Sequence, residues 1–209
     1  MTNELRALVF AGLGTLIGAL IQYYFQRRSM AHQERREIIE VHLLQLQNAV
    51  ESLYYRLNNL LDGGGRAIMG DAYFRQTSIY ILARVLAQES LLTTEGIYAK
   101  LNYDEAFKRQ LKGNLHALNG CLDDHNFLYY HRIQLGEMLI QDAQLVTYTE
   151  FLALLKNNSQ AAAVIKAEEF IMSATDQQWD RLRQQAKALV FLLESKTRVP
   201  SALSLSRAA

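Results

Sequence analysis

The stretch from Ala7 to Phe25 carries no charged residue, and it constrains the fold more than any other part of the chain. At about 1.5 Å of rise per residue, a helix of this length spans roughly 28 Å, close to the hydrocarbon thickness of a bilayer. Its apolar residues surround the helix, which argues against a buried helix with one apolar stripe. A cleaved signal peptide fits poorly, because the start is nearly neutral and the end has no small-residue cleavage site. We therefore predict an N-terminal transmembrane anchor over residues 1–26.

Arginines on one side of this stretch predict its orientation. Arg6 precedes it, whereas Arg27, Arg28, Arg35 and Arg36 follow it. Because cytoplasmic flanks carry the excess of basic residues, we predict a single-pass protein of the inner (cytoplasmic) membrane, with its N-terminus outside. The same four arginines are suited to anionic lipid, so membrane lipid is a predicted partner.

Small residues within the apolar stretch predict contact between two membrane helices. Glycines four residues apart let helix backbones approach closely in lipid. The predicted association face consists of Ala11, Gly14, Thr15, Gly18 and Gln22. We expect a homo-oligomer, although this spacing is common in apolar segments and the glycines are alternatively only tolerated.

A heptad pattern follows the basic run. Apolar residues recur there at alternating steps of four and three, which predicts a seam along a juxtamembrane helix over residues 27–62. The seam consists of Ile39, Leu43, Leu46, Val50, Leu53, Leu57 and Leu60. Leu44, Tyr54 and Leu61 widen the stripe, which favours a multi-helix bundle over a two-stranded coiled coil.

The heptad register links this seam to the membrane helix. Stepping back from Ile39 by three and four residues reaches Gly18, Thr15 and Ala11. This match predicts one continuous association face, provided that the long helix supercoils. Alternatively, later helices of the same chain fill the seam, and only the membrane part self-associates.

Composition favours an all-α fold. One proline, Pro200, stands in a chain of 209 residues, so helix breakers are scarce. With 22 basic and 21 acidic residues the net charge is +1, which gives no general field for nucleic acid. The single cysteine, Cys121, excludes an intrachain disulfide and agrees with a cytoplasmic domain. We predict a cytoplasmic helical bundle over 27–198 and a flexible tail over 199–209.

Periodicity and capping signals divide the bundle into helices. Thr147 with Glu150 and Thr175 with Asp176 mark two helix starts. An irregular segment is predicted over 91–103. The predicted helices after the glycine run cover residues 73–90, 104–122, 127–141, 147–158, 161–174 and 177–196.

Three segments besides the anchor carry a resemblance to a known group of proteins. They read Tyr55-Arg-Leu, Tyr80-Ile-Leu-Ala-Arg-Val-Leu-Ala-Gln-Glu-Ser and His131-Arg-Ile-Gln-Leu-Gly-Glu-Met-Leu-Ile. The layout resembles that of uncharacterised bacterial helical proteins with one N-terminal membrane helix. The resemblance implies a layout and no catalytic residues.

Catalytic and metal-binding patterns are weak. The densest group of metal-ligand residue types is Cys121, Asp123, Asp124, His125 and His131, with His116 nearby. It lacks the paired spacings of zinc or iron sites, so we predict no metal, no cofactor and a role for the group as a helix cap. The sequence also lacks the Gly-x-Ser-x-Gly pattern of a serine nucleophile and the Gly-Lys-Ser/Thr ending of a phosphate loop, so we predict no enzyme activity.

Charged residues within apolar helices form the last candidate site. Charges in such positions are seldom buried unless they are paired. We predict a buried ionic cluster, which fixes helix register or lines a ligand pocket, with Arg84 paired to Glu89 or Glu137. The alternative is that each side chain reaches the surface. The predicted cluster is Arg56, Arg84, Glu89, Arg132 and Glu137.

These patterns favour a non-enzymatic function. We predict a membrane-tethered helical scaffold that self-associates and recruits an unknown protein partner. The alternative is a sensor or effector, in which a cytoplasmic ligand controls the packing of the membrane helices, at the extreme as a pore.

Overall fold

The computed structural model describes the backbone of residues 3–62, 70–123, 127–142, 144–158 and 162–208. Within these ranges, the side chains of residues 3–15, 17, 31, 35, 157, 158 and 206–208 lie outside the description. The chain forms two compact units, Met1–Ile38 and Ile39–Ala209, and each is described by itself.

The predicted all-α fold class is confirmed. A single two-stranded hairpin interrupts the helices in the part of the chain that the structure describes. Among the described residues, a π-helical segment lies at Ile38–Leu43 and a 3₁₀ turn at Leu101–Asp104. The elements in chain order are α1 Asn3–Glu37, α2 Leu44–Leu61, α3 Ala72–Thr94, α4 Ile97–Lys100, α5 Glu105–Cys121, α6 Tyr129–Glu137, β1 Ile140–Gln141, β2 Gln144–Leu145, α7 Tyr148–Asn158, α8 Ala162–Ser173, α9 Asp176–Thr197 and α10 Ala202–Ala208.

Helix α1 covers the stretch that the sequence predicts as an anchor. Its large apolar side chains between residues 16 and 30 are exposed wherever they are described, with 51% exposure at Ile21 and 65% at Leu20. The glycine at position 18 has open space where a Cβ would lie. Across the described residues, no helix is both long enough and apolar enough to cross a membrane.

Helix α2 contributes the heptad seam to the core of the second unit. Residues Leu43, Leu46, Val50, Leu53, Leu57 and Leu60 are at most 4% exposed. Helices α9 and α3 of the same chain cover this face. The first seam residue, Ile39, is only half-buried. It lies in the π-helical segment, whose i→i+5 hydrogen bonds depart from the ordinary helical spacing on which the heptad seam depends.

Capping side chains begin several of the bundle helices. Asp71 accepts a hydrogen bond from Phe74 N at 3.0 Å and begins α3. The predicted box at Thr147 is present, because Glu150 Oε2 accepts from Thr147 N at 2.6 Å and Thr147 Oγ1 accepts from Glu150 N at 3.4 Å. The second predicted start, at Thr175, likewise carries a capping box and begins α9. Such caps satisfy backbone N–H groups that have no partner within the helix.

Helix α6 ends earlier than the sequence predicts. The predicted helix over 127–141 stops at Glu137, and a hairpin follows. Val146 N donates to Leu139 O at 2.9 Å, and both side chains are buried. Asp142 takes a positive φ of 50° in the turn. Burial of two apolar residues through a tight turn therefore outweighs helical periodicity in this segment.

The predicted flexible tail is wrong at its first residues. Ser201 and Leu203 are 1% and 7% exposed, and α10 begins between them. Glu51 Oε1 accepts from Ala202 N at 2.7 Å, and Ser204 Oγ donates to Glu194 Oε1 at 2.7 Å. Carboxylates near a helix N-terminus are favourable because they complement its unpaired N–H groups and its dipole.

Candidate functional site

A polar cleft lies between α3, α5 and α6, and a glycine sets the spacing of two of these helices. A Cβ on Gly136 would lie 2.9 Å from Ala87 N and 2.9 Å from Leu86 C. Only a residue without a side chain therefore lets α6 approach the α3 backbone this closely. Arg132 lies one turn before Gly136 on α6, and Glu89 lies just after Ala87 on α3.

The α3/α5/α6 cleft has two adjoining lobes, with volumes of about 240 Å³ and 460 Å³. Glu89, Thr93, Asn119, Tyr129 and Arg132 line both lobes. The cleft therefore gathers a carboxylate, an amide, a guanidinium and a phenol from three helices.

Glu89 and Asn119 form a short hydrogen bond in the α3/α5/α6 cleft. Asn119 is 8% exposed, and its Nδ2 donates to Glu89 Oε2 at 2.6 Å. Burial raises the pKa of the Glu89 carboxyl, because it removes water from the charged form. The Asn119 hydrogen bond and the nearby Arg132 and His116 act in the opposite direction on this pKa.

Arg132 is the buried cation of the cleft, with 5% exposure. Its Nη1 donates to Asn119 O at 3.1 Å and to Asp123 Oδ1 at 3.2 Å. Its Nε is buried and has no acceptor among the described residues. The Arg132 Cζ atom also lies 5.7 Å from the centre of the Tyr129 ring. One nitrogen thus carries both of its polar contacts within the described part of the chain.

The outer walls of the α3/α5/α6 cleft add further polar groups. In the larger lobe, Lys112 Nζ lies 4.7 Å from the centre of the Tyr98 ring. Burial raises the pKa of the Tyr98 hydroxyl, so this group stays protonated and is able to donate. In the smaller lobe, the exposed Glu137 and Ile133 stand beside Arg132.

The structure brings together three of the five residues in the predicted ionic cluster. Glu89, Arg132 and Glu137 line the smaller lobe. Arg56 lies elsewhere, with Nη2 donating to Thr77 Oγ1 at 3.0 Å and Cζ 4.5 Å from the Phe74 ring centre.

The predicted pairing of Arg84 is wrong. No carboxylate of the described residues pairs with it, and its Cζ lies 5.8 Å from the Tyr80 ring centre. Arg84 and Glu89 are five residues apart on one helix, so they point in different directions. The half-buried Arg84 lines a separate cleft with Tyr80 and Tyr148.

The predicted membrane-helix residues are only partly described. Side chains of Ala11, Gly14, Thr15 and Arg35 lie outside the described residues. The others, Gly18, Gln22, Arg27, Arg28 and Arg36, are exposed.

The predicted group of metal-ligand residue types does not converge where it is described. Asp124 and His125 lie outside the described residues. Cys121 is a half-buried free thiol whose pKa is raised by burial, and His131 is buried. Among the described residues, no three His, Cys, Asp or Glu side chains are placed to hold a metal ion.

Sequence reasoning missed Asn119, Tyr98 and Tyr129. A signal for Asn119 is available, because it lies four residues after Leu115 and directly after Leu118, on the buried stripe of α5. A polar side chain on such a stripe needs a buried partner. The two tyrosines carry no comparable signal in the local pattern.

Comparison of this chain with protein-family models, curated proteins and solved structures finds no match.

Proposed function

We propose that the protein is a membrane-tethered helical scaffold, which self-associates through α1 and recruits a protein partner through its second unit. The exposed apolar side chains of α1 carry this proposal. Contiguous apolar surface of this kind marks a site for lipid or protein. Removing one Leu or Phe side chain from water is worth about 1.5–3 kcal/mol, so several together supply a strong driving force for such contact.

Residues at the end of the apolar stretch support lipid as the first environment of α1. Tyr23 and Tyr24 are 62% and 63% exposed, and tyrosine favours the membrane interface. Arg27 and Arg28 follow on the exposed helix surface. The arginine excess supports a cytoplasmic second unit with the N-terminus outside.

Association between copies is assigned to α1 and not to the heptad seam. Open space at Gly18 permits close approach of another helix. The leucines of the α2 seam are buried against α9 and α3 of the same chain, so they are unavailable to a second copy.

Cysteine cross-linking tests the self-association. In a Cys121→Ser background, Gly18→Cys should cross-link between copies in the membrane-bound protein, and Leu53→Cys should not. Leu20→Cys is the matched control, because position 20 lies roughly 200° around α1 from position 18. Equal yields at positions 18 and 20 would indicate random collision. Absence of cross-links at position 18 in folded, membrane-bound protein would overturn the association.

Membrane attachment has its own test. After cell lysis, the protein should sediment with membranes and require detergent for release, and a reporter fused after Ala209 should behave as cytoplasmic. Full solubility without detergent would overturn the anchor, and external reporter activity would reverse the topology.

The α3/α5/α6 cleft favours one second candidate function, a ligand sensor that alters the packing of α1 between copies. Conductance of reconstituted liposomes distinguishes a ligand-gated pore, the extreme form of such a sensor, from a scaffold. A scaffold leaves liposomes sealed, whereas a ligand-gated pore conducts.

A further inference from the structure

We propose that the α3/α5/α6 cleft binds a small zwitterion of the amino-acid class, with its ammonium group facing Glu89 and its carboxylate facing Arg132. Binding of this ligand requires neither membrane attachment nor self-association. Two oppositely charged, incompletely satisfied groups share the cavity.

The first of these groups is the Glu89 carboxylate. Asn119 Nδ2 donates a hydrogen bond to Glu89 Oε2 at 2.6 Å, and the described residues supply no donor to Glu89 Oε1. A half-buried carboxylate oxygen without a donor is costly unless water or a ligand reaches it. Because Glu89 lines both lobes, a ligand ammonium group in either lobe has access to this residue.

The second group is the Arg132 guanidinium, which is more deeply buried. Its Nη1 holds the Asn119 carbonyl and Asp123, whereas Nε and Nη2 have no acceptor among the described residues. The Asp123 side chain is 68% exposed, so water weakens its electrostatic attraction to the Arg132 guanidinium. A ligand carboxylate beside Nη2 supplies a further acceptor, since charge-assisted contacts of this type are strong.

Glu89 and Arg132 do not satisfy each other. No N···O distance within 4.0 Å joins them in the described structure, although both line the same two lobes. A simple cation in this space is attracted by Glu89 and repelled by Arg132, and a simple anion meets the reverse. A zwitterion has a favourable interaction with both, which is why the charge pattern selects this class.

Other groups set the direction and the character of the ligand. Glu137 adds a carboxylate to the smaller lobe, whereas Asp123, Lys112 and His116 line the larger lobe. Leu86 and Ile133 line the smaller lobe and provide apolar contact for an aliphatic side chain. The proposed ligands are therefore amino acids with small aliphatic side chains.

Calorimetric titration of the full-length protein in detergent micelles tests the charge requirement. The probes are L-leucine, 3-methylbutylamine, which lacks the carboxylate, and 4-methylpentanoate, which lacks the ammonium group. L-alanine, ethylamine and propionate form a second set of the same design. At least one amino acid should bind more tightly than its amine and its acid. The proposal is overturned if neither amino acid binds, or if an amine or acid binds as tightly as its parent.

Two variants assign the charges to residues. Glu89→Gln keeps an acceptor for Asn119 and removes only the charge, so it should weaken amino-acid binding about tenfold to hundredfold. Arg132→Lys should weaken it similarly, because a lysine lacks the planar fork. Glu169→Gln is the control, because Glu169 pairs with Lys166 on α8 outside the α3/α5/α6 cleft, and it should bind like the parent protein. Helix content and melting temperature show whether each variant is folded. Parent-like affinity in folded Glu89→Gln would overturn the assignment.

Discussion

Helices α1 and α2 both contain several leucines, but the large apolar side chains described in α1 are exposed, whereas those of the α2 seam are buried. Leu20 of α1 is 65% exposed, whereas Leu46 of α2 is 0% exposed. In the sequence, the apolar residues of α2 recur at heptad spacing with polar residues between them, while the stretch Ala7–Phe25 is apolar at nearly every position. The periodic face of α2 is covered by helices of the same chain. The periodicity of the apolar residues, more than their number, therefore distinguishes a helix that packs within its own domain from a helix whose apolar side chains stay exposed.

The largest expected effect comes from truncating one leucine in each of these helices. Leu46→Ala should lower the free energy of unfolding of the bundle by about 2–5 kcal/mol, because a buried side chain is lost and a cavity remains. Leu20→Ala, the same chemical change at an exposed position, should alter it by less than about 0.5 kcal/mol. Urea denaturation in mild detergent measures both. Equal effects of the two substitutions would contradict the contrast between α1 and α2.

A glycine pair sharpens the contrast at the level of the backbone. Gly136→Ala should destabilise by about 1–3 kcal/mol, because the new Cβ clashes with the α3 backbone. Its control is Gly113→Ala, which meets nothing within 4 Å inside α5. That change should stabilise by about 0.5–1 kcal/mol, since alanine favours helix. Thermal unfolding measures both, and stabilisation by Gly136→Ala would disprove the tight approach of α6 to α3.

Asp104 tests an electrostatic contact within the bundle. The Lys196 ammonium at 2.7 Å, followed by the Phe107 N–H, lowers the pKa of the Asp104 carboxyl below its ordinary value. The ionised group therefore stabilises the fold above its unfolded pKa of about 3.9, and this contribution is lost as the pH falls through the folded value. Asp104→Ala should cost about 1 kcal/mol at neutral pH, because it also removes a helix cap.

Unfolding of Asp104→Ala and parent protein at several pH values checks this sign. The difference between them should shrink in acid. Asp104→Asn, which keeps the cap and removes the charge, should cost less than the alanine variant. A difference that grows in acid would show that the Asp104 pKa is raised.

A small effect is expected at Arg84, within the apolar part of α3. Its recognised contact in the described structure is the Tyr80 ring at 5.8 Å, so Arg84→Ala should cost about 0.5–1 kcal/mol. The sequence-based expectation of a buried pair instead implies about 3–5 kcal/mol. Chemical denaturation distinguishes these two values. A loss of unfolding free energy in the higher range would indicate that Arg84 has a buried partner.

Much of the bundle could be predicted from local patterns. The α2 seam, the Thr147 box and the start of α9 at Thr175 depend on residues three or four apart, so the sequence shows them directly. The hairpin after α6 and the docked Ser201 could not be predicted in this way. Both depend on partners distant in sequence, such as Glu51 for the start of α10. The π-helical turn at Ile39 also escaped a pattern that assumes ordinary helical spacing.

The α3/α5/α6 cleft shows the same division between local and distant information. Arg132 and Glu89 are noticeable in sequence because charges interrupt apolar helices. Which charges meet is decided by helix packing, and Gly136 is the residue that brings α6 onto α3. Arg84 and Arg56 carry the same local signal but lie outside the cleft. At these four positions, a charged residue within an apolar helix thus indicates that its side chain is at least partly buried, but it does not identify the residue that it contacts.

The packing of α2 against α9 has a consequence for synthesis of the chain. Gln47 accepts a hydrogen bond from Thr197, 150 residues later, and the leucine seam around Gln47 faces the same late helix. A ribosome makes α2 first, so its seam remains partly uncovered until nearly the whole chain has been synthesised. Incomplete chains with exposed apolar surface are prone to associate wrongly. Chains stopped before α9 should therefore need a chaperone, or aggregate, even though every residue of α2 is present.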